Sequence, residues 1–79
     1  MIDDSPFTDV RPTPTGFSIP DLKWRELLFL GALRRVENEY VRDVSRPLPR
    51  FEDPNPFAPG VRLRVLRRTR GRVYLKRMA

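Results

Sequence analysis

The sequence contains neither cysteine nor histidine among its 79 residues. Without cysteine the chain can form no disulfide and no thiolate metal site. Without histidine, carboxylates are the only strong side-chain metal ligands that remain, so we expect no metal site and no cofactor. A chain this short buries only about 60% of the surface that its unfolded form exposes, and small domains therefore need an additional staple. We expect that staple to be another molecule.

Long hydrophobic runs are also lacking. The longest nearly continuous apolar run covers residues 27–33, whereas a membrane-spanning helix needs about 20 apolar residues. The first four residues end in two aspartates and have neither the positive charge nor the apolar stretch of a secretory signal. We therefore expect no membrane span and a cytoplasmic or virion-associated location, with no secretion by a signal peptide.

The sequence offers little for catalysis. Glu37 and Glu39 lie two residues apart, and such residues do not share a face of a helix. The three serines have no histidine or lysine base nearby, and the four glycines are isolated, so there is no glycine-rich phosphate loop. We predict that the protein is not an enzyme, has no catalytic residues and acts on no small-molecule substrate.

Proline is abundant, with nine in the chain, about twice its usual share. Because proline favours extended geometry at its own position and at the residue before it, residues 1–17 are predicted to form an extended N-terminal arm. Residues 45–60 are predicted to form a proline-rich extended strap. We expect the phenylalanines of these arms to dock in neighbouring subunits, with folding back over the chain's own helix as the alternative. They are Phe7, Phe17, Phe51 and Phe57.

Residues 18–44 are predicted to form one long helix, with Ser18 as its N-cap and Pro20 in its first turn. Apolar residues recur at spacings of three and four, which is typical of one face of a helix. They are Leu22, Phe29, Leu33, Val36, Tyr40 and Val44. Residues 22–33 are apolar nearly all round, and a helix of that kind is buried all round. Because the chain is too short to cover both sides, we expect a protein partner to bind Leu22, Trp24, Leu27 and Leu28.

Residues 61–79 are predicted to form a β-hairpin that spans about 61–78. Val61, Leu63 and Val65 alternate with arginines, and Gly71 supplies the positive φ that a hairpin turn favours. The expected fold is therefore α+β, small and non-compact, with one long helix, two extended arms and a C-terminal hairpin.

The net positive charge is confined to this hairpin. Residues 61–79 hold eight basic residues and no acid, whereas residues 1–60 hold eight basic and ten acidic residues, a net charge of −2. A cationic segment favours contact with a phosphate backbone or an acidic protein surface; the alternative is a solvated surface of an arginine-rich protein. Tyr74 is the one stacking aromatic, which favours backbone contact over base readout. The predicted polyanion-binding residues are Arg62, Arg64, Arg67, Arg68, Arg70, Arg72, Lys76 and Arg77.

These features favour a non-enzymatic architectural or interaction component of a large multi-subunit assembly. The arms are neutral to acidic, so our first hypothesis is a virion accessory protein (phage-like capsid, portal or tail) that straps neighbouring subunits. Its basic hairpin would face nucleic acid or an acidic surface. The alternatives are a small ribosome-like RNA-binding structural protein and a small regulator that binds and inhibits a nucleic-acid enzyme. The expected partners are protein subunits and the phosphate backbone of RNA or DNA.

Overall fold

A computed structural model describes residues 9–51 and 56–78. These residues form one α-helix and one antiparallel sheet of six strands, so the predicted α+β class is confirmed. In chain order the elements are β1 (Arg11–Thr13), β2 (Gly16–Pro20), α1 (Asp21–Leu30), β3 (Leu33–Val36), β4 (Glu39–Arg42), β5 (Arg62–Thr69) and β6 (Arg72–Arg77). The strand order across the sheet is β1-β2-β6-β5-β4-β3. Within these two ranges, no helix has the length and apolar character to cross a membrane.

The prediction of one long helix over residues 18–44 is wrong, because α1 has ten residues and ends at Leu30. Gly31 ends the helix with a φ of 76°, in the left-handed region that glycine adopts without a steric penalty. The N–H of Ala32 then donates to the carbonyl of Leu27 at 2.9 Å, as in a Schellman motif. Both of these residues are fully buried, so the end of the helix is fixed by packing as well as by hydrogen bonds.

The predicted start of the helix is also displaced. Ser18, predicted as the N-cap, is buried within β2. Pro20 occupies the N-cap position and makes no side-chain capping hydrogen bond. The acidic residue of the first turn, Asp21, is present as predicted and suits the positive end of the helix dipole.

Residues 33–42, predicted as the second half of the helix, form the β3–β4 hairpin. Arg35 pairs with Tyr40 across this hairpin. Glu37 at its tip has a φ of 57°, the left-handed conformation that two-residue hairpin turns use. Leu33, Val36 and Tyr40 keep a helical spacing along the sequence although a short turn places them on two different strands.

The core lies between α1 and one face of the sheet. Trp24 and Leu27 of α1 are buried, and the Trp24 ring packs edge-on against Tyr40 with 4.9 Å between centroids. The opposite side of α1 leaves Leu22 and Phe29 exposed. The buried apolar strand residues of this core are Phe17, Ile19, Leu33, Leu63, Val73 and Leu75.

The two proline-rich extended arms are not confirmed. In the N-terminal segment β1 and β2 form a short hairpin, with Arg11 opposite Ser18. Phe17 lies in β2 and is buried in the core. Residues 1–8, which include Phe7, lie outside the described residues.

The predicted strap packs on the chain's own core where the structure describes it; residues 52–55 lie outside the described residues. Phe57 is buried and packs edge-on against Phe17 with 5.5 Å between centroids, and Phe51 packs on Phe57 at 5.7 Å. Arg46 Nε donates to the carbonyl of Leu30 at 2.9 Å, which satisfies a backbone acceptor at the end of α1. The strap therefore covers one end of the core and also caps the helix.

β5 and β6 form a C-terminal hairpin at the predicted residues, with Gly71 in its turn at a φ of 87°. Val65 is opposite Leu75, but Arg67 is opposite Tyr74, so Leu66 is an extra residue in β5. Such a β-bulge shifts the alternation of side chains along the bulged strand. The bulge therefore decides which arginines of β5 share a face.

Candidate nucleic-acid interface

One face of the sheet packs on α1, and the opposite face, here called the outer face, carries concentrated positive charge. Side chains alternate between faces along a strand, and residues directly opposite on neighbouring strands share a face. Because Leu75 is buried in the core, the adjacent Lys76 belongs to the outer face, together with Arg64 opposite it in β5. The basic residues that the strand registers assign to the outer face are Arg11, Arg34, Arg62, Arg64, Arg67, Arg72 and Lys76.

Acidic side chains are almost absent from the strands. The described strand residues include eleven arginines and lysines and a single acid, Glu39. Glu39 Oε1 lies 3.5 Å from Arg62 Nε, a partly exposed ion pair that is worth little in water. The outer face is therefore strongly cationic, and of its seven basic residues Arg62 is the one that pairs with Glu39.

Arg64 and Lys76 form the centre of the outer face. They lie directly opposite one another, and neither side chain makes a hydrogen bond or an ion pair with another described residue. Further along β5, the Arg67 guanidinium carbon lies 4.6 Å from the centroid of the Tyr74 ring, a cation–π contact that holds this arginine across the sheet surface. Neighbouring cations repel, so an anion bound between them relieves the repulsion.

Arg72 has a structural role on the same face. Its Nε donates to Ser18 Oγ at 3.0 Å, and its Nη2 donates to the carbonyls of Ser18 at 2.9 Å and Asp9 at 3.1 Å. Burial, together with the charge of Arg11, lowers the pKa of Arg72. These bonds fasten β6 to β2 and to the segment before β1, so Arg72 supports the surface more than it extends from it.

The remaining predicted polyanion-binding residues lie elsewhere. Arg68 Nη2 is 2.6 Å from Asp21 Oδ1 of the helix, and this hydrogen bond holds the pKa of Asp21 below its usual value. The Arg77 guanidinium carbon lies 5.0 Å from the centroid of the Phe17 ring, on the core side. Arg70 is exposed in the turn of the hairpin. The eight predicted residues are therefore not one surface: five belong to the outer face and three do not.

The predicted protein-binding residues divide between core and surface. Phe17, Trp24, Leu27 and Phe57 are buried by the chain itself. This corrects the expectation that they dock in a neighbouring subunit, because α1, the sheet and the strap already enclose them. Phe51 is half-buried. Leu22 and Leu28 remain exposed on α1, close in sequence to Phe29, whose exposed fraction is 88%.

A cleft of about 440 Å³ opens between β5 and the tip of the β3–β4 hairpin. β4 pairs with β5 only where Tyr40 is opposite Leu63 and Val41 is opposite Arg62. Beyond Leu63, β5 pairs only with β6, which leaves space beside the hairpin tip. The lining residues are Trp24, Arg35, Asn38, Tyr40, Arg64, Val65 and Arg68.

Sequence reasoning misses this cleft because it assigns Arg35, Asn38 and Tyr40 to a helix and therefore places no hairpin tip beside β5. One signal points to it. Glu37 and Asn38 are consecutive polar residues between two short runs that contain apolar residues, and asparagine is favoured in tight turns. A hairpin at these residues brings the two aromatic rings and the arginines to one place.

The described residues contain no group of three or more aspartates or glutamates that could hold a metal ion. Comparison of the chain with protein-family models, with curated proteins and with solved structures finds no match. The function is therefore argued from the outer face and the cleft.

Proposed function

We propose that the protein is a non-enzymatic component of a larger assembly and binds the phosphate backbone of nucleic acid through the outer face of its sheet. One observation carries the proposal. Basic side chains from β1, β3, β5 and β6 share a face on which Glu39 is the one acidic strand residue of the described chain. A surface that only keeps a protein in solution is served by interspersed charges of both signs. A face of one sign attracts a polyanion.

The residue types favour phosphate contact over base reading. Arginine presents a planar fork of donors that matches a phosphate group. Tyr74, the aromatic residue between these cations, already packs against Arg67. A partly exposed sheet face with cationic side chains at its centre suits backbone contact, which positions a protein on nucleic acid without reading its sequence.

A protein partner is supported by the exposed side of α1. Leu22 and Phe29 have exposed fractions of 73% and 88%, one helix heptad apart and therefore on the same side. Large apolar residues clustered on a surface mark interaction sites. With nucleic acid on the outer face and a protein subunit on α1, the chain would join the two. A virion accessory protein is our preferred assignment, ahead of a ribonucleoprotein component or a regulator of a nucleic-acid enzyme.

The backbone contact is tested by titrating the full chain with labelled duplex DNA at several salt concentrations. We expect the double variant Arg64→Gln/Lys76→Gln to reduce the slope of log K against log salt by about 1.8, because each phosphate contact contributes about 0.9. The control Arg25→Gln/Arg50→Gln removes the same charge from exposed residues outside the sheet. Equal losses in both variants would overturn the proposal, since net charge alone would then explain the binding.

The class of assembly is tested by isolating the tagged chain from its native host under mild conditions, then washing with rising salt, with and without nuclease. Retention of a protein subunit after nuclease, lost in Leu22→Ser/Phe29→Ser, supports the joined arrangement. Complete release by nuclease would contradict the α1 contact and favour a nucleoprotein held by its phosphate contacts alone.

A further inference from the structure

We infer that the cleft between β5 and the β3–β4 hairpin binds a nucleotide unit, with the phosphate on its arginines and the base on its aromatic floor. This inference goes beyond backbone contact on the outer face and does not depend on it. The cleft volume of about 440 Å³ lies within the range of about 300–1,000 Å³ that small-molecule sites occupy.

The charges that line the cleft select an anion. Arg35, Arg64 and Arg68 contribute guanidinium groups, and no acidic residue is among the lining residues. The side chain of Arg64 makes no hydrogen bond or ion pair with a described residue, and the side-chain hydrogen bond of Arg35 runs from Nε to the carbonyl of Glu37 at 3.1 Å. The terminal nitrogens of Arg35 therefore remain available. Arg68 is held in place by Asp21, which fixes its guanidinium at the cleft wall.

The floor of the cleft selects a flat ring beside that anion. Trp24 and Tyr40 pack at an interplanar angle of 77°, and Val65 adds an aliphatic surface next to them. Trp24 is buried and Tyr40 is partly exposed, so a ligand meets mainly the Tyr40 ring. Asn38 supplies an amide with both donors and an acceptor, the groups that hydrogen-bond base edges. A simple inorganic anion would use the arginines and leave this floor unused.

Arg64 belongs both to the cleft lining and to the outer face. A nucleic-acid strand that runs along the outer face can therefore turn one base into the cleft at this residue. Bases of a duplex are stacked and paired, so a base that enters the cleft comes from a single strand, an end or a free nucleotide.

The test uses Trp24, the one tryptophan of the chain, as a fluorescent reporter in the cleft. The full chain is titrated with adenosine 5′-monophosphate, adenosine, inorganic phosphate, a short single-stranded oligonucleotide and a matched duplex. We expect saturable quenching by the monophosphate and the single strand, and at least tenfold weaker responses to adenosine, to inorganic phosphate and to the duplex. A monophosphate response with none from the single strand would assign the cleft to free nucleotides.

The variants Arg35→Gln and Arg50→Gln form a matched pair, because each removes one guanidinium group and Arg50 is exposed, lies outside the sheet and does not line the cleft. Arg35→Gln is expected to weaken monophosphate binding about tenfold, and Arg50→Gln to leave it unchanged. Equal effects of the two variants, no saturable quenching, or equal affinity for inorganic phosphate and monophosphate would overturn the inference. Binding to the outer face is measured separately, as the salt dependence of the affinity for duplex DNA, so either proposal can fail without the other.

Discussion

Arg64 lies directly opposite Lys76 in the β5–β6 ladder, and neither side chain has an anionic partner among the described residues. Like charges in directly opposed positions of an antiparallel pair destabilise the sheet. These two strands are central in the sheet, which makes the pair costly to the fold and well placed for a ligand. The stability of the fold therefore favours removing one of these two charges, whereas polyanion binding favours keeping both.

Lys76→Gln is expected to raise the free energy of unfolding by about 0.2–1 kcal/mol at low salt, because it removes the repulsion from Arg64. The same change is expected to weaken binding to duplex DNA. Urea denaturation and DNA titration measure the two effects. The gain in stability should vanish at about 1 M salt, where the Debye length falls to about 3 Å. A gain that persists at high salt, or an equal gain in Arg50→Gln, would count against repulsion as its cause.

Asp21 is expected to titrate below its usual range, because the hydrogen bond from Arg68 and the charge of Arg25 lower its pKa. A carboxylate whose pKa is lower in the folded state stabilises the fold above the unfolded value of about 3.9, and this contribution is lost as pH falls through the folded value. Arg68→Gln should raise the pKa of Asp21 towards the ordinary value, as measured from its carboxyl carbon shift by NMR. Arg25→Gln is the control and should raise it less; the reverse order would contradict the assignment to Arg68.

The C-terminal hairpin could be predicted from the sequence because its signals are local. Val61, Leu63 and Val65 alternate with charged residues, and Gly71 stands at the turn. The predicted helix extends beyond Leu30 because Leu33, Val36 and Tyr40 continue a helical spacing across a turn that separates two strands. Apolar periodicity over short runs cannot separate these cases, and the turn at Glu37 was the deciding feature.

The positive charge of the candidate site could be predicted from the sequence, but the arrangement of its side chains on the sheet could not. The count of basic residues in residues 61–79 identifies the hairpin, but the bulge at Leu66 decides that Arg67, and not Arg68, shares the outer face with Arg64. The burial of Phe57 could not be predicted either, because it depends on tertiary contacts. A phenylalanine between prolines is equally compatible with docking on a partner and with packing in the chain's own core.

Gly16 is expected to tolerate no side chain. A Cβ at this position would lie 2.1 Å from the carbonyl oxygen of Leu75, a backbone atom of β6 that cannot move without separating the strands. We therefore expect Gly16→Ala to lower the free energy of unfolding by about 1–3 kcal/mol, the usual cost of overpacking. Thr15→Ala, at the adjacent exposed position, should change it by less than about 0.5 kcal/mol. Similar values for the two variants in urea denaturation would show that β2 can shift away from β6.

Phe57 is expected to stabilise the isolated chain, because its ring fills the core against Phe17. Phe57→Ala should lower the free energy of unfolding by about 3–5 kcal/mol, which combines the lost burial with the cavity that remains. Phe29→Ala removes the same side chain from an exposed position of α1 and should cost much less in the isolated chain. Its effect should appear instead as reduced retention of the protein subunit. If Phe57→Ala left stability unchanged and weakened partner retention, the strap would be docking on another subunit, as the sequence first indicated.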